Sequence, residues 1–202
     1  MRPLALHVNK NNSLIVGLRE QGSIFPVKDF SVRQVVIFDD NSKRKLILEA
    51  DKKGRKLFSY PSRIKADSKN VLYVADWMDE DHCGRIVAVD VNGRLKFTYN
   101  SNPDLRTFIP HGIAITPSDY IILSDLNNNA LHIVNSRGEL FGLHFVDKEY
   151  NIERPLSLYI DSEGYLLIGS GRLENSNANI HVTKIAEQFM QTWPIHKNQS
   201  HM

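Results

Sequence analysis

Two aspartates and one histidine are the residues whose types and spacing could carry chemistry in this chain. Asp76 and Asp125 stand at the same offset in two similar stretches, and His111 lies upstream of the second. Carboxylate oxygens and imidazole nitrogens can hold a divalent metal ion that activates water or substrate. The matching positions elsewhere are Leu18 and Ser170, so we do not expect a closed metal cage. We favour the alternative that both aspartates accept backbone N–H bonds at turns.

Other catalytic patterns are weaker still. The acidic run 79–81 lacks the alternating ligands and the glycine of a calcium loop. No Ser/His/Asp or paired-acid arrangement can be assembled from local spacing. We therefore predict that the protein is not an enzyme and has no catalytic residue, cofactor or metal site. A metal-dependent hydrolase or lyase is kept as the alternative.

The candidate residues belong to a layout that repeats from four prolines, which lie 58, 49 and 45 residues apart by subtraction of their positions. Each repeat places an aliphatic residue fourth from its proline, then a polar break, an apolar triplet and a small residue. Short apolar segments divided by Asn, Asp, Ser and Gly predict strand, turn, strand. The period suits the four-stranded blade of a β-propeller. The prolines are Pro3, Pro61, Pro110 and Pro155; the closing small residues are Gly17, Ala75, Ser124 and Gly169.

The repeat divides the chain into four blades and a tail. We predict an all-β propeller of four-stranded blades at 3–60, 61–109, 110–154 and 155–185, with a polar C-terminal tail at 186–202. The fourth strand of the last blade is expected to be weak or absent.

Composition excludes several classes of protein. In 202 residues, the hydrophobic fraction of 42% and the charged fraction of 24% are ordinary for a globular domain. The net charge of +2 gives no argument for nucleic acid. Cys83 is the single cysteine, which excludes an internal disulfide framework and a multi-cysteine zinc site. No secretory signal or membrane-spanning run is visible. We predict a soluble, cytoplasmic protein with no membrane or DNA partner.

The repeat also resembles a known family. The repeat looks like an NHL repeat. Its order is proline, aliphatic strand, polar turn, apolar strand and Asp, followed by a loop, an apolar strand and an Asn-Gly-type turn. The pattern is clearest in PSRIKADSKNVLYVADW and PHGIAITPSDYIILSDLNNNALHIVNSRGEL, and the resemblance covers residues 3–185. It is similar to the C-terminal NHL regions of tripartite-motif proteins. The resemblance implies NHL-type blades, four visible here, in a six-bladed ring that recruits protein or RNA partners.

This sequence departs from the tripartite-motif pattern in several ways. The glycine usual in the repeat is kept only at Gly112, and there is no Cys/His array or heptad run. The ubiquitin ligase domain of such proteins is therefore absent from this chain. Because the resemblance implies six blades, we expect two more blades upstream, although a closed four-bladed ring is allowed.

One face of the propeller is the predicted binding surface. Residues just after each proline and in the loop after each second strand should surround the channel mouth. We predict a protein partner, with RNA as a variant that the basic stretch 43–69 could serve; a solvated outer edge is the favoured interpretation of that stretch. Trp77 either anchors a partner or folds back on a neighbouring blade. The predicted binding residues are Arg63, Trp77, His111, Asn127, Asn128, Arg154 and Arg172.

Overall fold

The computed structural model describes residues 1–171 and 178–184, so Arg172 and the predicted tail at 186–202 lie outside the described residues. Fifteen strands and one short helix are seen in this part of the chain. The strands form four antiparallel sheets, each in simple chain order. They are β1 (Arg2–Val8), β2 (Leu14–Arg19), β3 (Arg33–Phe38), β4 (Arg44–Leu48), β5 (Pro61–Ala66), β6 (Leu72–Trp77), β7 (Gly84–Val89), β8 (Leu95–Tyr99), β9 (Pro110–Ile115), β10 (Ile121–Asp125), β11 (Ala130–Val134), β12 (Leu140–Phe145), β13 (Pro155–Ile160), β14 (Tyr165–Ser170) and β15 (Ile180–Lys184); the helix is α1 (Val146–Tyr150).

Each sheet is one blade, and the apolar triplets form its second strand. In β6, Tyr73 packs toward the third blade while Val74 packs toward the first, because successive side chains of a strand point to opposite faces. Both faces of an inner blade are therefore buried. This explains why the second strands read as continuous apolar runs rather than as alternating ones.

The blades stack through three apolar layers, one between each consecutive pair. The first strands β1, β5, β9 and β13 contact one another in that order, which makes them the innermost strands. The predicted all-β propeller is confirmed. Three of the four repeat prolines, Pro61, Pro110 and Pro155, are also the first residues of inner strands. The fourth blade has three strands in the described residues.

The inner strand pair of each blade carries one irregularity at the same place. In blades one, two and four, the register slips across the residue that follows the proline, so that Leu4, Ser62 and Leu156 have no cross-strand partner. In blade three, the slip places His111 and Gly112 opposite Ser124 alone. A bulge of this kind turns a side chain away from the regular pleat and is typical of strand ends near functional sites.

Within residues 1–171 and 178–184, no helix combines the length and the apolar character that crossing a lipid bilayer requires.

Candidate functional site

The bulge in blade three places His111 at one end of the innermost strands. The neighbouring residue Gly112 is required there, because an added Cβ would lie 2.9 Å from Ser124 Oγ and 2.8 Å from Leu158 Cγ. Gly112 N–H also donates to Ser124 Oγ at 2.7 Å. The backbone is thus held tightly on one side of His111, and its imidazole is half-buried.

A stack of aromatic rings stands beside His111. Trp77, the last residue of β6, lies parallel to Tyr60 with ring centroids 5.4 Å apart, and the His82 ring covers the other face at 4.0 Å. The His111 ring meets the Trp77 ring edge-on at 5.1 Å. Trp77 Nε1–H donates to the carbonyl oxygen of Pro110 at 2.9 Å. Trp77 therefore packs on its own protein and forms a rigid wall next to the histidine.

Two arginines flank the same histidine from different blades. Arg63 is exposed on β5, and its guanidinium donates to the carbonyl oxygen of Ser62 at 2.9 Å. Arg154, directly before β13, has a left-handed backbone with φ of 50°. Its N–H donates to Asn129 Oδ1 at 2.8 Å, and its carbonyl accepts from Gly171 N–H at 2.8 Å. These two bonds hold a conformation that non-glycine residues seldom adopt, which fixes where Arg154 leaves the backbone.

The surroundings of His111 keep its imidazole neutral. Burial lowers the pKa of His111 to about 4, and the nearby charges of Arg63, His82 and Arg154 act in the same direction. At neutral pH the ring is therefore uncharged, and the lowered pKa makes it a weaker base than an ordinary imidazole. Neutral imidazole beside two guanidinium groups is an arrangement that can remove a proton while stabilising a developing anion.

The two aspartates predicted to cap turns do so. Asp76 is fully buried, its Oδ1 accepts from Ser59 N–H and Tyr60 N–H, both at 2.7 Å, and its Oδ2 accepts from Arg85 Nε at 3.0 Å. Burial raises the pKa of Asp76, and Arg85 with the two N–H donors opposes that rise. A carboxylate whose oxygens are already occupied does not fit a metal site.

Asp125 is equally committed. Its Oδ1 accepts from the backbone N–H of Ile109 at 3.3 Å and of Asn127 at 3.2 Å, while Oδ2 accepts from Asn128 Nδ2 at 2.7 Å. His132 Nε2 lies 3.3 Å from the same Oδ2. No group of three or more His, Cys, Asp or Glu side chains suited to a metal ion occurs in the described ranges.

The two asparagines predicted to bind a partner are tied to the loop before blade three. Asn127 Nδ2 donates to the carbonyl of Thr107 at 3.1 Å, and Asn128 Nδ2 lies 3.2 Å from the carbonyl of Arg106. Asn128 Oδ1 accepts from Arg106 N–H at 3.2 Å. Their amides therefore shape the rim of the face.

The structure thus brings Arg63, Trp77, His111 and Arg154 together and leaves Asn127 and Asn128 at the rim. Sequence reasoning missed Tyr60, which stacks on Trp77; its place directly before a repeat proline was the available signal. Much of the basic stretch 43–69 is exposed on β4 and the following linker. Binding of protein or RNA stays a prediction.

No protein-family model and no curated protein matches the sequence. Solved structures do match. Virginiamycin B lyase from Staphylococcus aureus has 16% identity and a TM-score of 0.54, with 92% of this chain and 56% of that chain covered. A gluconolactonase from Xanthomonas campestris has 17% identity, a TM-score of 0.55 and coverage of 84% and 54%. Kuenenia stuttgartiensis hydrazine synthase has 14% identity, a TM-score of 0.64 and coverage of 90% and 46%.

The chain therefore spans about half the length of the structures it matches. The prediction that the protein is not an enzyme is contradicted by these comparisons, because the solved structures that share its fold include lyases and lactonases. The sequence argument was wrong because it searched for acids and nucleophiles at local spacings. Arg63, Trp77, His111 and Arg154 instead come from separate strands and connections, far apart along the chain. At this level of identity, the likeness establishes the fold: the chain is a β-propeller.

Proposed function

We propose that this protein is a propeller enzyme of the hydrolase or lyase class that opens an ester bond in a cyclic substrate. The observation that carries the proposal is the half-buried His111 between Arg63 and Arg154, backed by the Trp77 ring. This group supplies a base, two cations and a rigid wall. An exposed histidine on a flexible loop would supply none of the positioning.

Ester hydrolysis follows from these groups without any further catalyst. Neutral His111 accepts a proton from a water molecule as the water oxygen attacks the ester carbonyl carbon. The resulting oxyanion is stabilised by the guanidinium of Arg63 or Arg154. When the tetrahedral species collapses, the ester C–O bond breaks and the leaving alkoxide takes the proton back from His111. Asp76 and Asp125 do not fit a metal ion, so no step is assigned to one.

The comparisons support this class of reaction. A variant of virginiamycin B lyase with one histidine replaced by alanine is described as catalytically inactive. Another solved structure with the same fold is described as a gluconolactonase. A lyase and a lactonase therefore occur among these propellers, and replacement of one histidine inactivates the lyase. A fold can host unrelated activities, so the proposal depends on the His111 site rather than on the fold.

The test uses the purified chain and gluconolactone, with acid release followed by a pH indicator. The wild-type chain should accelerate ring opening above the buffer rate. His111→Asn should lower kcat by about 100-fold or more, the usual contribution of a positioned base. His7→Gln is the matched control, because His7 is also half-buried with a lowered pKa but lies near the far end of β1. Equal activity of His111→Asn and wild type would refute the role of His111.

The pH profile gives an independent check. Activity should be constant above pH 5 and should fall as the pH drops through about 4, because protonated His111 cannot act as a base. A fall centred near 6.5 would instead indicate an exposed, unperturbed histidine.

A further inference from the structure

The connection between β2 and β3, residues 20–32, is the longest link between a second and a third strand in this chain. The corresponding links in the other blades, 78–83, 126–129 and 171–179, are shorter. The Phe25 ring of this connection lies 6.1 Å from the Tyr60 ring, which in turn stacks on Trp77. Blade one thus places a loop wall, residues 20–32, beside the aromatic residues of blade two.

Two buried arginines hold the loop wall in place. Arg33 is 1% exposed, and it donates from Nη2 to the carbonyl oxygen of Ile24 at 2.6 Å and from Nη1 to Glu20 Oε2 at 2.9 Å. Arg19 is 4% exposed and donates to the carbonyl oxygens of Glu20 and Gly22, both at 3.0 Å. A wall fixed in this way is organised before a ligand arrives, which lowers the entropy cost of binding.

An open cleft of about 290 Å³ lies between the loop wall and the aromatic residues of blade two. An apolar cavity of about 150 Å³ accommodates a benzene molecule. The cleft therefore has room for one six-membered ring with a short side arm. Rings and one aliphatic side chain form most of its lining, which includes Ile24, Phe25, Tyr60, Trp77, His82 and the carboxylate of Glu80.

Glu80 gives the cleft its charge. Within the described residues, no Lys or Arg lines the cleft, and no hydrogen bond or ion pair engages the Glu80 carboxylate. The adjacent acids Asp79 and Asp81 add to the negative potential at this end of the cleft. A ligand that carries a positive group next to an aromatic ring therefore matches both the charge and the shape of the cleft.

The cleft adjoins the His111 site, because the rings of Trp77 and His82 line the cleft and lie 5.1 and 6.4 Å from the His111 ring. We propose that the cleft is a subsite for a positively charged aromatic group, an aryl-alkylammonium, that is part of the substrate. That this group belongs to the substrate rests on the proposed function, whereas its binding depends only on the cleft.

The fluorescence of Trp77 measures binding directly in a Trp193→Phe chain, in which Trp77 is the single tryptophan. The probes are benzylamine, benzyl alcohol and benzoate, which share one ring and differ in charge. Benzylamine should bind about fivefold more tightly than benzyl alcohol, since Glu80 is exposed and its attraction is weakened by solvent. Benzoate should bind most weakly, and added salt should reduce the preference for the amine. A fluorescence signal that does not saturate with any probe would overturn the proposal, as would equal affinity for all three.

Two variants in the Trp193→Phe chain locate the binding, each with a matched control. Glu80→Gln should abolish the preference for benzylamine over benzyl alcohol, while Glu163→Gln, in an exposed turn of blade four, should keep it. Ile24→Ser should weaken all three probes by roughly threefold through lost apolar contact. Ile47→Ser is its control, because Ile24 and Ile47 are 40% and 43% exposed but only Ile24 lines the cleft. A preference that survives Glu80→Gln contradicts the role of the carboxylate, and equal losses in the two isoleucine variants would place the probes elsewhere.

His111→Asn separates the subsite from the reaction. His111 does not line the cleft, so this variant should bind benzylamine as the parent chain does while it loses gluconolactone hydrolysis. Loss of benzylamine binding in His111→Asn would show that the cleft is not a separate subsite. If wild type hydrolyses gluconolactone but the Trp193→Phe chain does not bind benzylamine, the subsite is wrong and the proposed function stands. If benzylamine binds but gluconolactone is not hydrolysed, the cleft is supported and the proposed function is wrong.

Discussion

Blades two and three have the same arrangement of strands, and each has an aspartate at the same repeat position. The two blades differ most in the residues that surround this aspartate. Asp76 is the penultimate residue of β6 and Asp125 is the last residue of β10, and both are fully buried. Each accepts N–H bonds from the segment that leads into its own blade, at Ser59 in one case and Ile109 in the other. The shared aspartate is therefore a structural tie between a linker and the blade that follows it.

The difference between the blades lies in the remaining partners. Asp76 forms an ion pair with Arg85, and its loop supplies the Trp77 and His82 rings of the wall. Asp125 instead contacts backbone N–H groups, the Asn128 amide and the His132 ring, and it holds the asparagine-rich loop against the preceding segment. Blade two thus contributes the aromatic wall beside His111, and blade three contributes His111 itself and the rim. One repeat position is structural in both blades, while the residues after it diverge in role.

Replacing each of the two aspartates should give the largest losses in the free energy of unfolding, and the two losses should differ in size. Asp76→Ala leaves buried N–H groups unpaired and the guanidinium of Arg85 without its carboxylate, so we expect a loss of about 4 kcal/mol in the free energy of unfolding. Asp125→Ala leaves no arginine without a carboxylate and should cost about 2 to 3 kcal/mol. Urea denaturation measures both. Asp90→Ala, in an exposed turn, is the control. Equal losses at the two positions would contradict the distinction.

A substitution in the aromatic wall of blade two should lower the free energy of unfolding more than a substitution in the asparagine-rich rim of blade three. Trp77→Leu removes the bond to the Pro110 carbonyl and two stacked contacts, at an expected cost of about 2 to 3 kcal/mol. Asn128→Ala removes half-buried amide bonds and should cost about 1 kcal/mol. Thermal unfolding followed by circular dichroism compares them. A larger loss for Asn128→Ala would mean that the rim, rather than the wall, holds this face together.

The pair of residues flanking the bulge should show why one blade keeps a glycine. Gly112 and Arg63 occupy the same repeat position, facing Ser124 and Ala75 respectively. Gly112→Ala forces a Cβ against Ser124 and the Leu158 backbone, with an expected loss of about 2 kcal/mol. Arg63→Ala should change the free energy of unfolding by less than about 0.5 kcal/mol, since Arg63 is exposed. If Gly112→Ala leaves the free energy of unfolding unchanged, the backbone of blade three can shift to accept a side chain at this position, as blade two does with Arg63.

The fold could be predicted from the sequence because each strand and turn is specified by residues that are adjacent in the chain. Each apolar triplet with a small closing residue, as in Ile121 to Ser124, is a complete strand whose two faces must both be buried. The turn at Gly93, with φ of 75°, likewise depends on adjacent residues. The capping role of Asp76 was also predictable, because buried carboxylates after a strand generally accept backbone N–H bonds.

The site could be predicted only in part. His111 and Trp77 stood out as residues in polar surroundings, but their contact depends on the bulge that turns His111 toward the neighbouring blade. Arg154 is oriented by Asn129, a residue 25 positions earlier. Such cross-blade relations have no spacing that a single sequence displays. This is why the prediction of a non-catalytic module was wrong.

A pH-dependent effect should come from exchanging His111 for its counterpart in blade two. His111 occupies the position of Ser62, and its pKa is lowered to about 4 mainly by burial. Between pH 6.5 and 4, the unfolded chain therefore binds a proton that the folded chain does not, so the free energy of unfolding falls as the pH is lowered. Because His111 is half-exposed, the contribution should be about 1 kcal/mol. Urea titrations at pH 7 and 4.5 measure how much stability the protein loses on acidification, and His111→Ser should reduce that loss by about 1 kcal/mol. His7→Gln should reduce it independently, because the pKa of His7 is also lowered to about 4. If His111→Ser loses as much stability on acidification as wild type does, His111 is not buried in solution, and the contrast between the two blades at this position disappears.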